Sequence, residues 1–372
     1  MARKRANGEG SVYQRESDGR WAASISLANG KRKHFLGHSS AEVSAKRAEA
    51  LANLQKGIQP PKGNQSVAQY LDFWIRSVKS SVRPTTYQSY ELNVNRLRPL
   101  IGKLRLTNLT PAVIEQAYAA LQERGLSARS VKQVHTVLHG ALKKAVIWEL
   151  LGRNPSEAVS VPRPERHEMK TLSEAQVQKL FASTSDDRMH ALWVLLTTTS
   201  LRLGEACGLQ WQDVDLERGS LTVRRALQRQ KGVGFVFVEP KTRLSRRKVH
   251  LPPGTVAVLA AHRKRQLQER LMAGAYWQDQ DLIFCRQNGS PLEATNLLPE
   301  FHRALAKAEL PKIRLHDLRH TAATLLLQMG EHPKVVQEML GHSTITLTLD
   351  TYSHVVPSMQ AEAARKMQTL FG

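Results

Sequence analysis

Residues 200–354 concentrate side chains of the kinds that handle phosphate. Ser200-Leu-Arg202-Leu-Gly-Glu205 sets an arginine just ahead of an expected helix, and Lys241 opens the basic run Lys241-Thr-Arg-Leu-Ser-Arg-Arg-Lys248. Arg314-Leu-His316-Asp-Leu-Arg319-His320-Thr321 places His316 and Arg319 one helical turn apart, on one face. Leu340-Gly-His342-Ser343 and Asp350-Thr-Tyr352-Ser-His354 complete the series. A phosphodiester carries one negative charge, and its transition state carries more. Two arginines can each donate a pair of N–H groups to non-bridging oxygens, a geometry that lysine cannot reproduce. A tyrosine hydroxyl, with a free pKa near ~10, becomes a useful nucleophile where cations stabilise the phenolate. A lysine or histidine can protonate a departing 5′ oxygen. Such a set needs neither metal nor ATP, so no cofactor is expected.

Taken singly, each residue has a plainer reading. Arg202 beside Gly204-Glu205 fits a surface ion pair. His316 and His320, four apart, fit a zinc pair with His342, although no glutamate lies between them as in the H-E-x-x-H pattern. Lys241 fits a solvated basic loop, and a lone Tyr352 fits anything. What separates the chemical reading from these is that all of the residues occur in order within one segment of a basic chain.

The fold expected around them is mainly α with small β elements, in three segments. Residues 11–15, 21–27 and 31–36 read as three short strands, with turns at Asp18-Gly19 and Asn29-Gly30. A helix capped by Ser39 and Glu42 then runs to about Lys56. This domain, residues 1–60, carries Arg15, Arg20, Lys31, Arg32 and Lys33, so one face of its sheet is a candidate for a DNA groove. A solvated edge sheet is the alternative. Past a linker with Pro60-Pro61, residues 65–155 read as a helical bundle of four. Its faces are Val67/Tyr70/Leu71/Trp74/Ile75, Tyr87/Tyr90/Val94/Leu97, Val113/Ile114/Ala117/Tyr118/Leu121, and Val131/Val134/Leu138/Leu142/Ala145. The aromatic residues sit at core spacing; the last helix is expected from Ser127 to Trp148, with Asn154-Pro155 as its stop. After a second linker at Val161-Pro-Arg-Pro-Glu165, residues 166–372 read as a mixed α/β domain. Its strands are expected at 221–223, 235–238 and 247–251, with Lys241 in a hairpin turn between the last two. Met359, Ala363, Met367 and Leu370 form an apolar stripe, suited to a neighbouring protomer or to packing in cis.

Bulk properties agree with a nucleic-acid partner. The chain of 372 residues has a net charge of +22, of which +6 lies in residues 1–60, +8 in 61–165 and +8 in 166–372. A basic tail on a neutral enzyme would load one end; here every segment is basic, as for a protein that touches a polyanion throughout. No apolar run nears the ~18 residues of a membrane span, and no basic amphipathic stripe suggests a membrane surface. Two cysteines, Cys207 and Cys285, are too few for a disulfide framework or a zinc ribbon. Met1-Ala-Arg-Lys-Arg is followed by no apolar stretch and so does not read as a secretory signal. A cytoplasmic, DNA-associated protein of a bacterial cell is expected.

In its order of residues the chain resembles the tyrosine recombinases, the phage integrase family. That family's pattern of Arg, hairpin Lys, His-x-x-Arg, Leu-Gly-His and Tyr falls on Arg202, Lys241, His316 and Arg319, His342 and Tyr352. The likeness covers the whole of 166–372 and extends more weakly to the bundle, like the family's core-binding domain, and to the N-terminal sheet, like its arm-binding domains. It implies that Tyr352 attacks the scissile phosphate to leave a 3′-phosphotyrosine. Arg202 and Arg319 would clamp the non-bridging oxygens, His316 and His342 complete the cage, Lys241 act as general acid, and Glu205 position the cage from behind. It also implies a homotetramer on double-stranded DNA at core and arm attachment sites, a Holliday-junction intermediate, and a host DNA-bending protein and an excisionase as partners. One departure stands out: the family's first arginine motif begins Thr-Gly, whereas here Thr199-Ser200 precedes Leu201-Arg202. If that position needs a positive φ, Ser200 is strained. Two rivals share parts of the pattern: a type IB topoisomerase that relaxes DNA as a monomer, and a non-catalytic DNA-binding regulator on the same scaffold.

Overall fold

The computed structural model describes residues 12–16, 18–26, 32–55, 65–165, 169–239, 246–352, 364–365 and 367–371. The chain divides into two compact units, Met1–Arg166 and His167–Gly372. Both are mainly helical with small sheets, as the sequence pattern implies.

In the first unit, β1 (Val12–Gln14), β2 (Trp21–Ser26) and β3 (Arg32–Gly37) form an antiparallel sheet in the order β1-β2-β3. Ala23 faces Val12 on one side and Phe35 on the other. Helix α1 (Ser40–Gln55) packs against this sheet, with Val43 fully buried. Ser39 Oγ accepts from the Glu42 amide, but Glu42 reaches the His38 amide rather than that of Ser39, so the cap is shifted by one residue from the expected box.

The helices α2 (Val67–Val78), α3 (Pro84–Ile101), α4 (Pro111–Glu123) and α5 (Ala128–Ile147) follow. Each start has a local cause: a reciprocal capping box between Ser66 and Gln69, Pro84 and Pro111 in first turns, and side-chain caps from Thr110 and Ser127. The apolar faces close on one core, with Tyr70, Leu71, Leu97, Ile114, Val131 and Leu138 essentially inaccessible. Tyr70 and Tyr118 lie in it, and the Tyr70 hydroxyl donates to the Ala141 carbonyl at 2.5 Å. Helix α5 runs between the expected limits, with Ser127 as N-cap and Trp148 as C-cap, but it is not Asn154-Pro155 that stops it. Glu149, at φ +58°, turns the chain so that the Leu150 amide donates back to the Ala145 carbonyl. Asn154-Pro155 instead opens a separate short turn at Pro155–Ala158.

The second unit is built around α7 (His190–Thr199), which is apolar nearly all round and packs against α6 (Glu174–Ser183), α9 (Pro253–Ala273) and α11 (Asp317–Gln328). The short α8 (Leu203–Cys207) follows α7 directly. One antiparallel sheet has the order β4 (Val214–Asp215), β5 (Ser220–Val223), β8 (Arg247–His250); a second ladder joins β6 (Ala226–Gln230) to β7 (Gly234–Val238). This corrects the expected hairpin. The segments at 235–238 and 247–251 do not pair with each other, because β7 turns back on β6 through residues 231–233 while β8 pairs with β5. Lys241 lies outside the described residues. The remaining helices are α10 (Ala294–Lys307), α12 (Pro333–Leu340) and α13 (Ile345–Tyr352). Of the C-terminal stripe, Met367 and Leu370 are exposed; Met359 and Ala363 lie outside the described residues. Among the described residues, no helix is long and apolar enough to cross a membrane.

Candidate active site

The first arginine is placed by a break between two helices. Ser200 ends α7 in the left-handed region, at φ +55°, and the chain re-enters a helix after Arg202, whose own backbone is extended. Glu205, in the first turn of α8, reaches back: one carboxylate oxygen accepts the Arg202 amide at 3.0 Å and the other the Arg202 Nη1 at 2.8 Å. Its opposite side is held by Arg247 on β8, Nη2 to Oε2 at 2.9 Å, while Arg247 Nε donates to the Met339 carbonyl at 2.7 Å. Burial alone would raise the Glu205 carboxyl. The Arg247 hydrogen bond and charge, and then Arg202, outweigh it and hold the pKa below the ordinary range.

The second arginine is deep. Arg319, on the first turn of α11, is 3% exposed. Its Nη1 donates to the Ser200 carbonyl, and its Nη2 to the Leu340 carbonyl at 2.6 Å. Two of its five N–H bonds are thus spent on carbonyls that tie α7 and α12 together through α11. Burial, then the charge of Arg202, pushes its pKa down to about 9, so it remains cationic at neutral pH. His316 occupies the N-cap position of the same helix without a capping hydrogen bond from its side chain, and Asp317 beside it is engaged by the Arg314 guanidinium at 2.7 Å. Burial first and Arg319 second depress the His316 pKa.

The third group arrives with α12 and α13. Gly341 ends α12 at φ +63°, a conformation that favours glycine, and a Cβ there would lie 3.0 Å from the Arg247 guanidinium and press on it. The turn presents His342, whose Nδ1 lies 2.9 Å from Thr348 Oγ1. One helical turn later, Tyr352 Oη lies 2.9 Å from His320 Nδ1. Helix α13 therefore buries Thr348 and Tyr352 and leaves Ile345, Leu347 and Leu349 partly exposed. The Tyr352 ring, 1% exposed, packs with Ala323, Leu327, Val336 and Leu340. Burial pushes its phenol up to about 12, against the pull of the Arg319 charge. His320 and His342 are each pushed down to about 4, by burial first, then by His316 for the former and by Arg319 for the latter. Their rings are neutral at physiological pH.

Of the residues singled out from the sequence, Arg202, Glu205, His316, Arg319, His342 and Tyr352 gather around this one locus. Arg15, Arg20 and Arg32 belong to the N-terminal sheet unit, where Arg15 pairs with Asp18 at 3.3 Å. Lys31 and the Lys33 side chain, like Lys241, lie outside the described residues. Among the described residues, no three of His, Cys, Asp and Glu are grouped so as to hold a metal ion, His316, His320 and His342 included.

The profile described as "Phage integrase family" matches residues 170–359, and "Phage integrase, N-terminal SAM-like domain" matches 66–122. The chain belongs to the phage integrase family. It is 31% identical to a tyrosine recombinase XerC-like protein of Caldanaerobacter subterraneus subsp. tengcongensis, over 92% of this chain and 93% of that one. Its structure resembles that of the Tn1549 transposon integrase in complex with a circular intermediate DNA, with a TM-score of 0.71 at 27% identity, over 81% of this chain and 99% of that one. A lambda integrase tetramer bound to a Holliday junction shares the fold alone, with a TM-score of 0.57 at 16% identity, over 94% and 96% of the two chains. The protein is a site-specific tyrosine recombinase. A relaxing topoisomerase and a non-catalytic regulator are not favoured, since the relatives are recombinases and integrases.

Two residues of this integrase site escaped the sequence reading. Arg247 lies in the basic run from Lys241 to Lys248, yet it shares the inward face of β8 with Val249, alternating with exposed Lys248. That period of two was the available signal. His320 was weighed only as a metal ligand, and its contact with Tyr352, 32 positions downstream, has no local signature.

Proposed function

We propose that this integrase cleaves DNA through attack of Tyr352 Oη on the scissile phosphate, leaving a 3′-phosphotyrosine and a free 5′-hydroxyl. The observation that carries the reading is convergence: an arginine between α7 and α8, an arginine on α11, a histidine after α12 and a tyrosine on α13 meet at one place. Arg202 and Arg319 clamp the non-bridging oxygens. His316 and His342 complete the hydrogen-bonded cage, and Glu205 with Arg247 fixes the direction of the Arg202 fork. Lys241 protonates the departing 5′ oxygen. The domains at 1–60, 65–155 and 166–372 bind arm sites, bind core sites and catalyse, respectively. In the cell the enzyme acts in the cytoplasm as a homotetramer on DNA, exchanging strands through a Holliday junction to integrate and excise a mobile element. A host DNA-bending protein and an excisionase set the direction. Support comes from the family likeness, from the DNA complex of the Tn1549 integrase and from the lambda integrase tetramer.

Tyr352→Phe removes one oxygen from this scheme. Affinity for the core site is expected to stay within about twofold, because binding rests on distributed phosphate contacts. No denaturation-resistant protein–DNA adduct should form on nicked duplexes. An adduct formed by the phenylalanine variant would refute the assignment of the nucleophile.

A further inference from the structure

We propose that His320 is the general base of strand cleavage, its Nδ1 accepting the Tyr352 Oη proton as that oxygen bonds to phosphorus. The inference rests on Tyr352 as nucleophile and adds a residue outside the Arg, Lys, His-x-x-Arg, Leu-Gly-His and Tyr set. A neutral phenol is a weak nucleophile, so its proton must leave as the Oη–P bond forms. Tyr352 is 1% exposed, which denies that proton an easy route to solvent. The proton therefore goes to a neighbouring side chain.

The neighbours separate clearly. Glu205 is engaged by Arg202 and Arg247, and Asp317 by Arg314. His342 Nδ1 faces the Thr348 hydroxyl. His316 meets the His320 ring edge to face, with centroids 5.1 Å apart. His320 Nδ1 lies on the reacting oxygen itself, at 2.9 Å, within the range required of a proton acceptor. The phenol is protonated and the imidazole neutral, and in the tautomer that carries its proton on Nε2, which the proposal requires, His320 Nδ1 accepts from the Tyr352 hydroxyl. Among the described residues, the charged and titratable groups around this ring are His316, Asp317, Arg314 and Arg319 from its own stretch of chain, and His342 and Tyr352 from beyond it. Burial first and His316 second, with Arg319 and Arg314 adding, hold its basicity down. A phosphodiester bound between Arg202 and Arg319 adds a negative charge that offsets them, so His320 becomes the stronger base when substrate is present.

The step balances. The Oη–H bond breaks with its proton passing to Nδ1, and the Oη–P bond forms. The P–O5′ bond breaks with its electron pair on the 5′ oxygen, which takes a proton from the general acid. When the 5′-hydroxyl of a partner strand attacks, the imidazolium returns its proton to Tyr352.

The test uses the full chain and a nicked duplex carrying the site recovered by sequencing DNA trapped covalently on the wild-type protein. His320→Asn keeps a hydrogen-bonding side chain but cannot take the proton, whereas His320→Gly leaves a space for free imidazole. Both should keep wild-type DNA affinity and thermal melting while single-turnover cleavage falls by about 100-fold or more. Imidazole should restore His320→Gly in proportion to its unprotonated concentration, and the rate of His320→Asn should climb with pH beyond the point where the wild type levels off. Cleavage by His320→Asn within about threefold of wild type would overturn the proposal, being far below the usual general-base contribution. So would a loss without imidazole rescue and with an unchanged pH profile, which would make His320 a positioning residue. If His320→Gly melts early, His320→Asn and its pH profile decide alone. An adduct formed by Tyr352→Phe would instead remove the nucleophile assignment on which the proposal stands.

Discussion

At the scale of single residues, the departure at Ser200 has a measurable consequence. A serine at φ +55° lacks the freedom that glycine has there, and its hydroxyl is buried with no hydrogen-bond partner among the described residues. What the site uses is the Ser200 carbonyl, which accepts from Arg319, and that group is indifferent to the side chain. Ser200→Gly should therefore stabilise the catalytic unit by about 1 kcal/mol, the relief of strain and of the unpaired hydroxyl exceeding the entropy that glycine adds to the unfolded chain. For a unit of this size that is roughly a 2–4 °C rise in Tm, readable by calorimetry. A lower Tm would mean that the serine packs better than its backbone suggests. This strain was foreseeable, because Thr199-Ser200-Leu201-Arg202 departs from a glycine-bearing pattern. The burial of Arg247 was harder to see, because a basic run around it disguises one inward-facing member.

At the scale of elements, the bundle helices were legible because their signals are local. Ser66 with Gln69, Thr110-Pro111 and Ser127 mark starts, and one face of each helix repeats at helical spacing. The sheets of the catalytic unit were not. Strand-like alternation is weak in β6, whose single strong apolar residue is Leu227, and β8 finds its partner β5 far back in the chain. Only Gly232 and Gly234, both at positive φ, announced the true turn between β6 and β7. Helix α9 carries a further consequence of tertiary placement. His262 Nε2 meets the Ile283 carbonyl at 2.8 Å, so it donates, and its Nδ1 accepts from the Arg265 guanidinium at 3.1 Å. Protonation would aim a second N–H at a cation. Burial first, with Arg265 and Arg188 adding, pushes this histidine down to about 4 despite the Ile283 bond and the Glu269 charge. An unfolded histidine titrates near ~6.5, so the unfolded chain takes up a proton that the folded one refuses. The stabilisation is complete above pH ~6.5 and is lost as pH falls toward 4, by on the order of 3 kcal/mol for His262. Urea unfolding at pH 7.5 and 4.5 should show the decline. His262→Gln, less stable at pH 7.5, should show a shallower one, and an equal slope in both proteins would place the pH sensitivity elsewhere.

At the scale of the whole molecule, charge is spread rather than focused. The +22 is shared as +6, +8 and +8 among residues 1–60, 61–165 and 166–372, so each segment is electrostatically suited to phosphate contacts and none holds a monopoly of charge. The family profiles begin at residue 66, and among the described residues the separate apolar cores of the bundle and of the catalytic unit contain no residue of the N-terminal sheet. A fragment starting at Asn64 should therefore fold and cut. On a duplex holding only the strand-exchange site, its adduct formation should match that of the full chain within about twofold at low salt, since the reacting groups and core contacts are intact. Its affinity should fall less steeply with salt, by about 0.9 in the log–log slope for each phosphate contact that the sheet had supplied. Of the five basic residues expected to make such contacts, Arg15 already spends part of its charge on Asp18, so the change in slope should be smaller than five full contacts would give. The two proteins should part on a substrate that also carries accessory sites, where only the full chain can bridge two classes of DNA. There the fragment is expected to lose integration while keeping cleavage. If fragment and full chain integrate equally well, residues 1–60 contribute general attraction for DNA and read no site of their own.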